Sequence, residues 1–206
     1  MEGAIIMANR IITINRMYGS NGRKLGKALA KELGIHYYDR ELIQIASEKE
    51  GIPYEELLKV DEKRASQWRY PLEDPIQMAP QYRFYPMNDM LFQSECEIIR
   101  SIAEKEDCII IGRCANTILK ENCSSIFIHA PFESRVQTVA GRLDISEKDA
   151  AGLVKKLDKE RRSYYEYFTD RKWLDMQGYD LCIDSSRFSE QQILSMLKEV
   201  YKNMRM

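Results

Sequence analysis

With 206 residues the chain has the length of one domain, able to bury about 70% of the surface its extended form would expose without a disulfide or metal staple. Its 31 Lys and Arg stand against 32 Asp and Glu, which excludes the polyelectrolyte character that draws a whole molecule onto nucleic acid or anionic lipid; any anion site must be local. No stretch approaches the roughly 20 apolar residues of a membrane span, and the first ten residues lack a secretory apolar region. The five cysteines (Cys96, Cys108, Cys114, Cys123, Cys182) form no CxxC pair, so the expectation is a cytoplasmic protein with reduced, mostly structural thiols.

The first expected strand covers 11–15 and runs into Gly19-Ser20-Asn21-Gly22-Arg23-Lys24-Leu25-Gly26. Leu25, Ala28, Leu29 and Leu33 then form a helical stripe that Gly34 stops, and a second strand follows at 35–38. Residues 51–88 hold five of the six prolines (Pro53, Pro71, Pro75, Pro80, Pro86). With Trp68, Tyr70, Tyr82, Phe84 and Tyr85 they suggest an inserted flap, its aromatics suited equally to a substrate wall or a homodimer surface.

Phe92, Ile98, Ile99, Ile102 and Ala103 form the next helical stripe, followed by strands at 108–111 and 125–129. Phe132, Val136, Val139, Ala140 and Leu143 form another, and the charge-dense 141–172 reads as one or two helices of a lid. A strand at 180–184 and a helix bearing Ile193, Met196, Leu197, Val200 and Tyr201 close the chain. The strands are continuously apolar rather than alternating, as strands buried on both faces are. Strand and helix alternate, which predicts an α/β three-layer sandwich with a five-stranded parallel sheet, one domain over 1–206 with the flap and lid as insertions.

The glycine turn falls where a strand gives way to a helix, so its backbone N–H groups can approach a polyphosphate and the helix N-terminus adds partial positive charge. Arg23 and Lys24 bring full charges to the same place. The plain alternative is a tight turn that uses glycine only for its positive φ. The strict pattern GxxxxGK[ST] is absent, and no Ser or Thr stands where a Mg²⁺ ligand is expected. The third strand ends in Gly112-Arg113, and an arginine at the carboxyl end of a parallel strand can grip a phosphate with two hydrogen bonds. In the lid, Arg161 and Arg162 stand beside Tyr164, Tyr165, Tyr167 and Phe168, a setting in which cations close over a transferring phosphoryl group. His36 and His129 lie in strands without spaced partners and read as structural, Trp173 as packing at the lid base, and no residue reads as a metal ligand.

The stretches ITINRMYGSNGRKLGKALAKELGIHYYDRELI (12–43), CIIIGRCANTIL (108–119), IFIHAPFESRV (126–136), LDKERRSYYEYFTDRKW (157–173) and GYDLCIDSS (178–186) resemble the cytidylate kinase-like family, relatives of bacterial CMP kinases. The resemblance implies a P-loop nucleoside monophosphate kinase fold, ATP and Mg²⁺ as cofactors, and a small phosphorylated acceptor such as CMP or dCMP. It puts Gly19, Ser20, Asn21, Gly22 and Gly26 on the phosphate loop and Arg23 where related kinases carry a lysine. Asp39 of YYDRE and Arg113 of GRC fall on acceptor-binding positions, with Cys114 in place of an aspartate. Asp158, Arg161 and Arg162 fall near the lid motif RDxxDSxR, out of clean register. The implied partners are small nucleotides, with neither nucleic acid nor membrane. A kinase for another small metabolite, or a nucleotide-binding regulatory protein without turnover, remains an alternative.

Overall fold

The computed structural model describes residues 9–63 and 87–204. Five strands form the sheet: β1 Ile11–Arg16, β2 His36–Tyr38, β3 Cys108–Ile111, β4 Ser124–His129 and β5 Leu181–Asp184. Their order is β2-β3-β1-β4-β5 and every pairing is parallel, with Ile11 against Cys108 and Ile14 against Ile126 fixing the register at the centre. Each expected strand is present, and the α/β sandwich read from the sequence is the architecture observed.

The apolar strands have partners on both faces. Ile11, Cys108 and Ile110 meet one layer, while Ile12, Ile14, Ile109, Ile111, Ile126 and Ile128 meet the other. The second layer is made by α1 (Gly22–Leu33) and α8 (Glu190–Lys202) through Leu25, Leu29, Ile193 and Leu197. The first is made by α2 (Glu41–Glu50), α3 (Tyr54–Val60), α4 (Met87–Ala103) and α5 (Ala115–Leu119) through Leu42, Leu57, Ile99 and Leu119. Burying one such aliphatic side chain contributes about 1.5–3 kcal/mol, so this double-sided packing carries most of the stability.

Two further α-helices stand among the described residues. α6 (Phe132–Leu143) packs through Val136 and Val139 on Ala150 and Val154 of the 23-residue α7 (Glu147–Thr169). The later part of α7 turns Tyr164 and Tyr165 onto Phe127 and Trp173. Trp173 is buried, as its reading as a packing residue requires. The stretch expected as a lid therefore has a buried apolar base.

Two details refine the sequence reading. α4 is buried on two sides: Leu91, Ile98, Ile99 and Ile102 face the sheet, whereas Phe92 stacks on Phe168 at a centroid distance of 4.0 Å. The proline-rich stretch begins with an ordered helix, α3, whose Leu57 is buried. Trp68, Tyr70, Tyr82, Phe84 and Tyr85 lie outside the described residues. All five cysteines are free, and burial pushes the Cys108 thiol up to about 12 and that of Cys123 up to about 11, which leaves both unreactive. Among the described residues no helix is long and apolar enough to cross a membrane.

Candidate active site

Parallel sheets gather their strand carboxyl ends along one edge, and here that edge carries charge. β1 is apolar or neutral through Asn15 and ends in Arg16; β3 is apolar to Ile111 and is followed by Gly112 and Arg113. The turn after β3 places three consecutive residues in the left-handed region, Gly112 (φ 69°), Arg113 (φ 50°) and Cys114 (φ 56°). Such backbone costs about 1 kcal/mol or more for each non-glycine residue. Gly112 has a second constraint, because a Cβ there would overlap the Arg16 guanidinium and the Glu62 carboxylate.

Arg113 is fully buried and held by three carboxylates. Its Nε donates to Glu95 (2.7 Å), Nη2 to Asp61 (2.9 Å) and Nη1 to Asp39 (3.4 Å). The burial that would lower its affinity for a proton is outweighed by Asp61, Glu95, Glu62 and Asp39, so its pKa rises and it stays a cation. Glu95 pays the other half of that arrangement: burial pushes its carboxyl up to about 8 against the pull of Arg113, and Tyr164 Oη donates to its second oxygen at 3.3 Å. Asp39 continues the chain of charge outward to the half-exposed Arg23 of the glycine turn.

Glu62 is the second centre. Arg16 grips it with two parallel bonds, Nη1 to Oε1 at 2.7 Å and Nη2 to Oε2 at 3.1 Å. The Arg113 backbone N–H points at Oε1 (3.4 Å), and Arg161 Nε lies 3.5 Å from Oε2. Burial opposes ionisation of Glu62, but Arg16, Arg161 and Arg113 overcome it and hold the carboxyl well below the usual range. Arg161 also donates from Nη1 to the Arg16 carbonyl (3.2 Å); burial and the neighbouring Arg16 charge bring its pKa down to about 10.

The glycine turn is clamped from beneath. Gly19 has φ 83°, and Asn21 (φ 61°) precedes α1 without a side-chain cap. The buried Ser20 hydroxyl lies within hydrogen-bond distance of the Met17 and Ile128 carbonyls, to one of which its single proton is donated. A Cβ on Gly22 would lie 2.7 Å from Arg16 Cβ, so the start of α1 sits directly on the arginine that ends β1. The first intrahelical bond runs from Leu25 N–H to the Asn21 carbonyl, which leaves the N–H groups of Gly22, Arg23 and Lys24 without a helical acceptor.

The residues singled out from the sequence are distributed as follows. Arg23, Asp39 and Arg113 form one chain of contacts, and Arg161 joins it through Glu62. Leu25 and Gly26 are buried on the sheet side of α1. Lys24 pairs with Glu190 of α8 at 2.6 Å on the exposed side. Arg162 parts from its neighbour and lines a surface cleft with Glu166, Lys172, Leu174 and Asp175. Asp158 accepts from the Tyr18 N–H (2.7 Å) and pairs with Arg135 (2.5 Å), so its oxygens steady the turn. Among the described residues no cluster of three or more His, Cys, Asp or Glu could hold a metal ion.

Sequence reasoning missed four members of the site. Arg16 obeys the rule that picked out Arg113, a cation at the carboxyl end of an apolar strand. Glu95 lies on the helical stripe of Leu91, Ile98 and Ile102, where a carboxylate is out of place unless paired. Asp61 and Glu62 follow α3 with no local pattern to mark them.

A profile of the cytidylate kinase-like family matches residues 11–187. The cytidylate kinase of Methanopyrus kandleri is 26% identical over 199 residues, covering 91% of each chain, and that of Pyrococcus abyssi 24% over 189 residues, again 91% of each. Among solved structures, an uncharacterized protein from Eubacterium ventriosum superposes with a TM-score of 0.70 at 25% identity, covering 95% of this chain and 99% of the other. The shikimate kinase of Acinetobacter baumannii, in complex with shikimate, gives a TM-score of 0.52 at 12% identity with 97% of each chain covered, a likeness of fold. With strand order, glycine turn and family match agreeing over most of its length, the chain belongs to the cytidylate kinase-like family.

Proposed function

We propose that the chain transfers the γ-phosphoryl group of ATP to a nucleoside monophosphate, CMP or dCMP. The observation that carries this reading is the convergence of Arg16, Arg113 and Arg161 at the carboxyl ends of β1 and β3, directly beside the N-terminus of α1. Three arginines at one point suit a reaction that moves a highly charged group between two phosphorylated molecules. The names carried by the archaeal relatives favour a cytidine nucleotide as acceptor.

The residues fit a triphosphate. The turn at 19–22 would present the N–H groups of Gly22, Arg23 and Lys24 to the donor phosphates, and a side chain at Gly22 would collide with Arg16 and Ile128 and push the turn out of place. ATP would supply the phosphoryl group, and Mg²⁺ bound with it would lower the charge on its oxygens. Arg23 adds charge at the donor side. Arg113, oriented by Glu95 and linked to Asp39, holds the acceptor side. Arg161 stands between them, and the wall of Tyr164, Tyr165 and Trp173 behind it keeps water out. Asp158 fixes the turn, while Lys24 and Arg162 contribute charge from the rim. No covalent intermediate on the protein is required, since positioning and electrostatics supply the catalysis. A cytoplasmic setting follows from the availability of these nucleotides.

A coupled ADP-release assay with ATP, Mg²⁺ and a panel of nucleoside monophosphates tests the reading. CMP or dCMP should stimulate release, and Arg23→Gln, a change at a half-exposed position, should lower kcat/KM by about a hundredfold. ADP release unaffected by every monophosphate, with ATP still raising the melting temperature, would leave a nucleotide-binding protein without this transfer.

A further inference from the structure

The Glu62 carboxylate is surrounded as a bound anion is. Three elements aim donors at it: the bidentate guanidinium of Arg16 from β1, the backbone N–H of Arg113 from the left-handed turn after β3, and Arg161 from α7. Arg16 is 7% exposed, yet its Nε has no hydrogen-bond partner among the described residues, although it lies with the other two nitrogens in one planar fork. The Glu62 carboxylate lies end-on across Nη1 and Nη2, which leaves the N–H on the side edge of the fork without an acceptor, and a buried N–H left over is costly. A phosphate group brings a third acceptor oxygen to this cluster of donors, which also includes Arg161 and the Arg113 N–H.

The remaining space agrees. Arg16, Glu62, Arg113, Arg161, Tyr164 and Trp173 enclose a cavity of about 10 Å³, room for about one water molecule. A phosphoryl group can reach these arginines only where the Glu62 carboxylate now sits. Glu62 itself holds a left-handed backbone (φ 50°), a conformation that non-glycine residues keep at a cost and that its ion pairs offset. It follows the short α3, whereas its three partners belong to the sheet edge and the longest helix.

We infer that Arg16 is a phosphate-binding residue of this site and that Glu62 is a built-in carboxylate competitor, which a phosphoryl group of the bound nucleotide displaces from Arg16, Arg161 and the Arg113 N–H. The identity of the nucleotide rests on the phosphotransfer reading above; the anion site does not. The exchange matches affinity to charge, since a neutral acceptor has nothing with which to replace Glu62. It also keeps the arginines paired whether or not nucleotide is bound.

Calorimetric titration of the full chain in buffer free of phosphate and sulfate tests this, with inorganic phosphate, CMP and ATP as separate probes. Glu62→Gln should bind inorganic phosphate about tenfold tighter than the wild type, and Arg16→Gln about tenfold weaker. The same order should appear for CMP if the site takes the acceptor phosphate, or for ATP if it takes a donor phosphate. Phosphate affinity unchanged in both variants overturns the inference. Should either variant fail to fold, the ¹⁵N resonance of Arg16 Nε in the wild type, identified by its loss in Arg16→Lys, decides: it should shift on saturation with phosphate, and a resonance that stays in place overturns the exchange. Tighter phosphate binding by Glu62→Gln without any nucleotide-stimulated ADP release would sink the kinase reading and leave the anion site standing. Turnover with CMP alongside phosphate affinity indifferent to both variants would do the reverse.

Discussion

Within β1 and β3, residues a few positions apart live under opposite rules. Ile11–Ile14 pair with Cys108–Ile111 in an apolar sandwich packed on both faces, where volume and shape decide the energy. Beyond them Arg16 and Arg113 are also buried, yet Arg16 is gripped by Glu62 and Arg113 by three carboxylates drawn from the loop after β2, the loop after α3 and α4. Replacing such an ionic layer by well-packed aliphatic residues is commonly neutral or stabilising. Its presence at the edge where parallel sheets bind ligands therefore points to function, while the layer below accounts for folding.

The sharpest way to break this contrast is to remove one charge. Arg113→Met should cost about 3–5 kcal/mol in urea unfolding, because Asp39 and Asp61 lose their counter-ion and the buried Glu95 loses its hydrogen-bond donor. Adding Glu95→Leu should recover part of that stability and none of the turnover. A double variant less stable than the single one would mean that this layer holds the fold together. In the apolar layer, Ile110→Ala should cost about 2–5 kcal/mol by the same measurement while leaving nucleotide affinity in the folded protein unchanged.

A gentler test uses pH, because two carboxylates of one ionic layer are shifted in opposite directions. Glu95 goes from its ordinary 4.5 to about 8 through burial. Between those values the folded chain holds a proton that the unfolded chain has released, so its contribution makes stability fall as pH rises from about 4.5 to 8. Glu62 is held below its ordinary range, so its stabilisation is present above that range and is lost as pH falls beneath it. Glu95→Gln should flatten the slope of unfolding free energy on the neutral side, and an unchanged slope would contradict the assignment. The smallest effect is expected at the rim, where Lys24→Ala removes a solvent-screened pair with Glu190 and should change stability by less than about 1 kcal/mol.

The strands were legible because a parallel sheet buried on both faces writes itself as unbroken apolar runs, as in Cys108–Ile111. α1 was legible through its stripe and the left-handed Gly34 at its end. Short helices such as α3 and α5 lack the length to show a period. The site was legible where a rule about position applied, as at the glycine turn and Arg113. Asp61 and Glu62 escaped because their significance comes from long-range contacts: Glu62 is 46 residues from Arg16 and nearly a hundred from Arg161, separations that no local pattern records. The pair Arg161-Arg162 shows the same limit from the other side, since adjacent residues on a helix point about 100° apart and only one faces inward.

The central place of β1 bears on how the protein breathes. Flanked by β3 and β4, this strand can exchange its amide hydrogens only when the sheet itself opens, whereas a seven-residue helix at the periphery such as α3 opens locally at much lower free energy. The arginine that ends β1 is thus fixed to the most protected backbone in the chain, and the carboxylate facing it hangs from one of the least protected. Fluctuations that part the two are expected to originate on the Glu62 side, with the basic half of the pair as the stationary one.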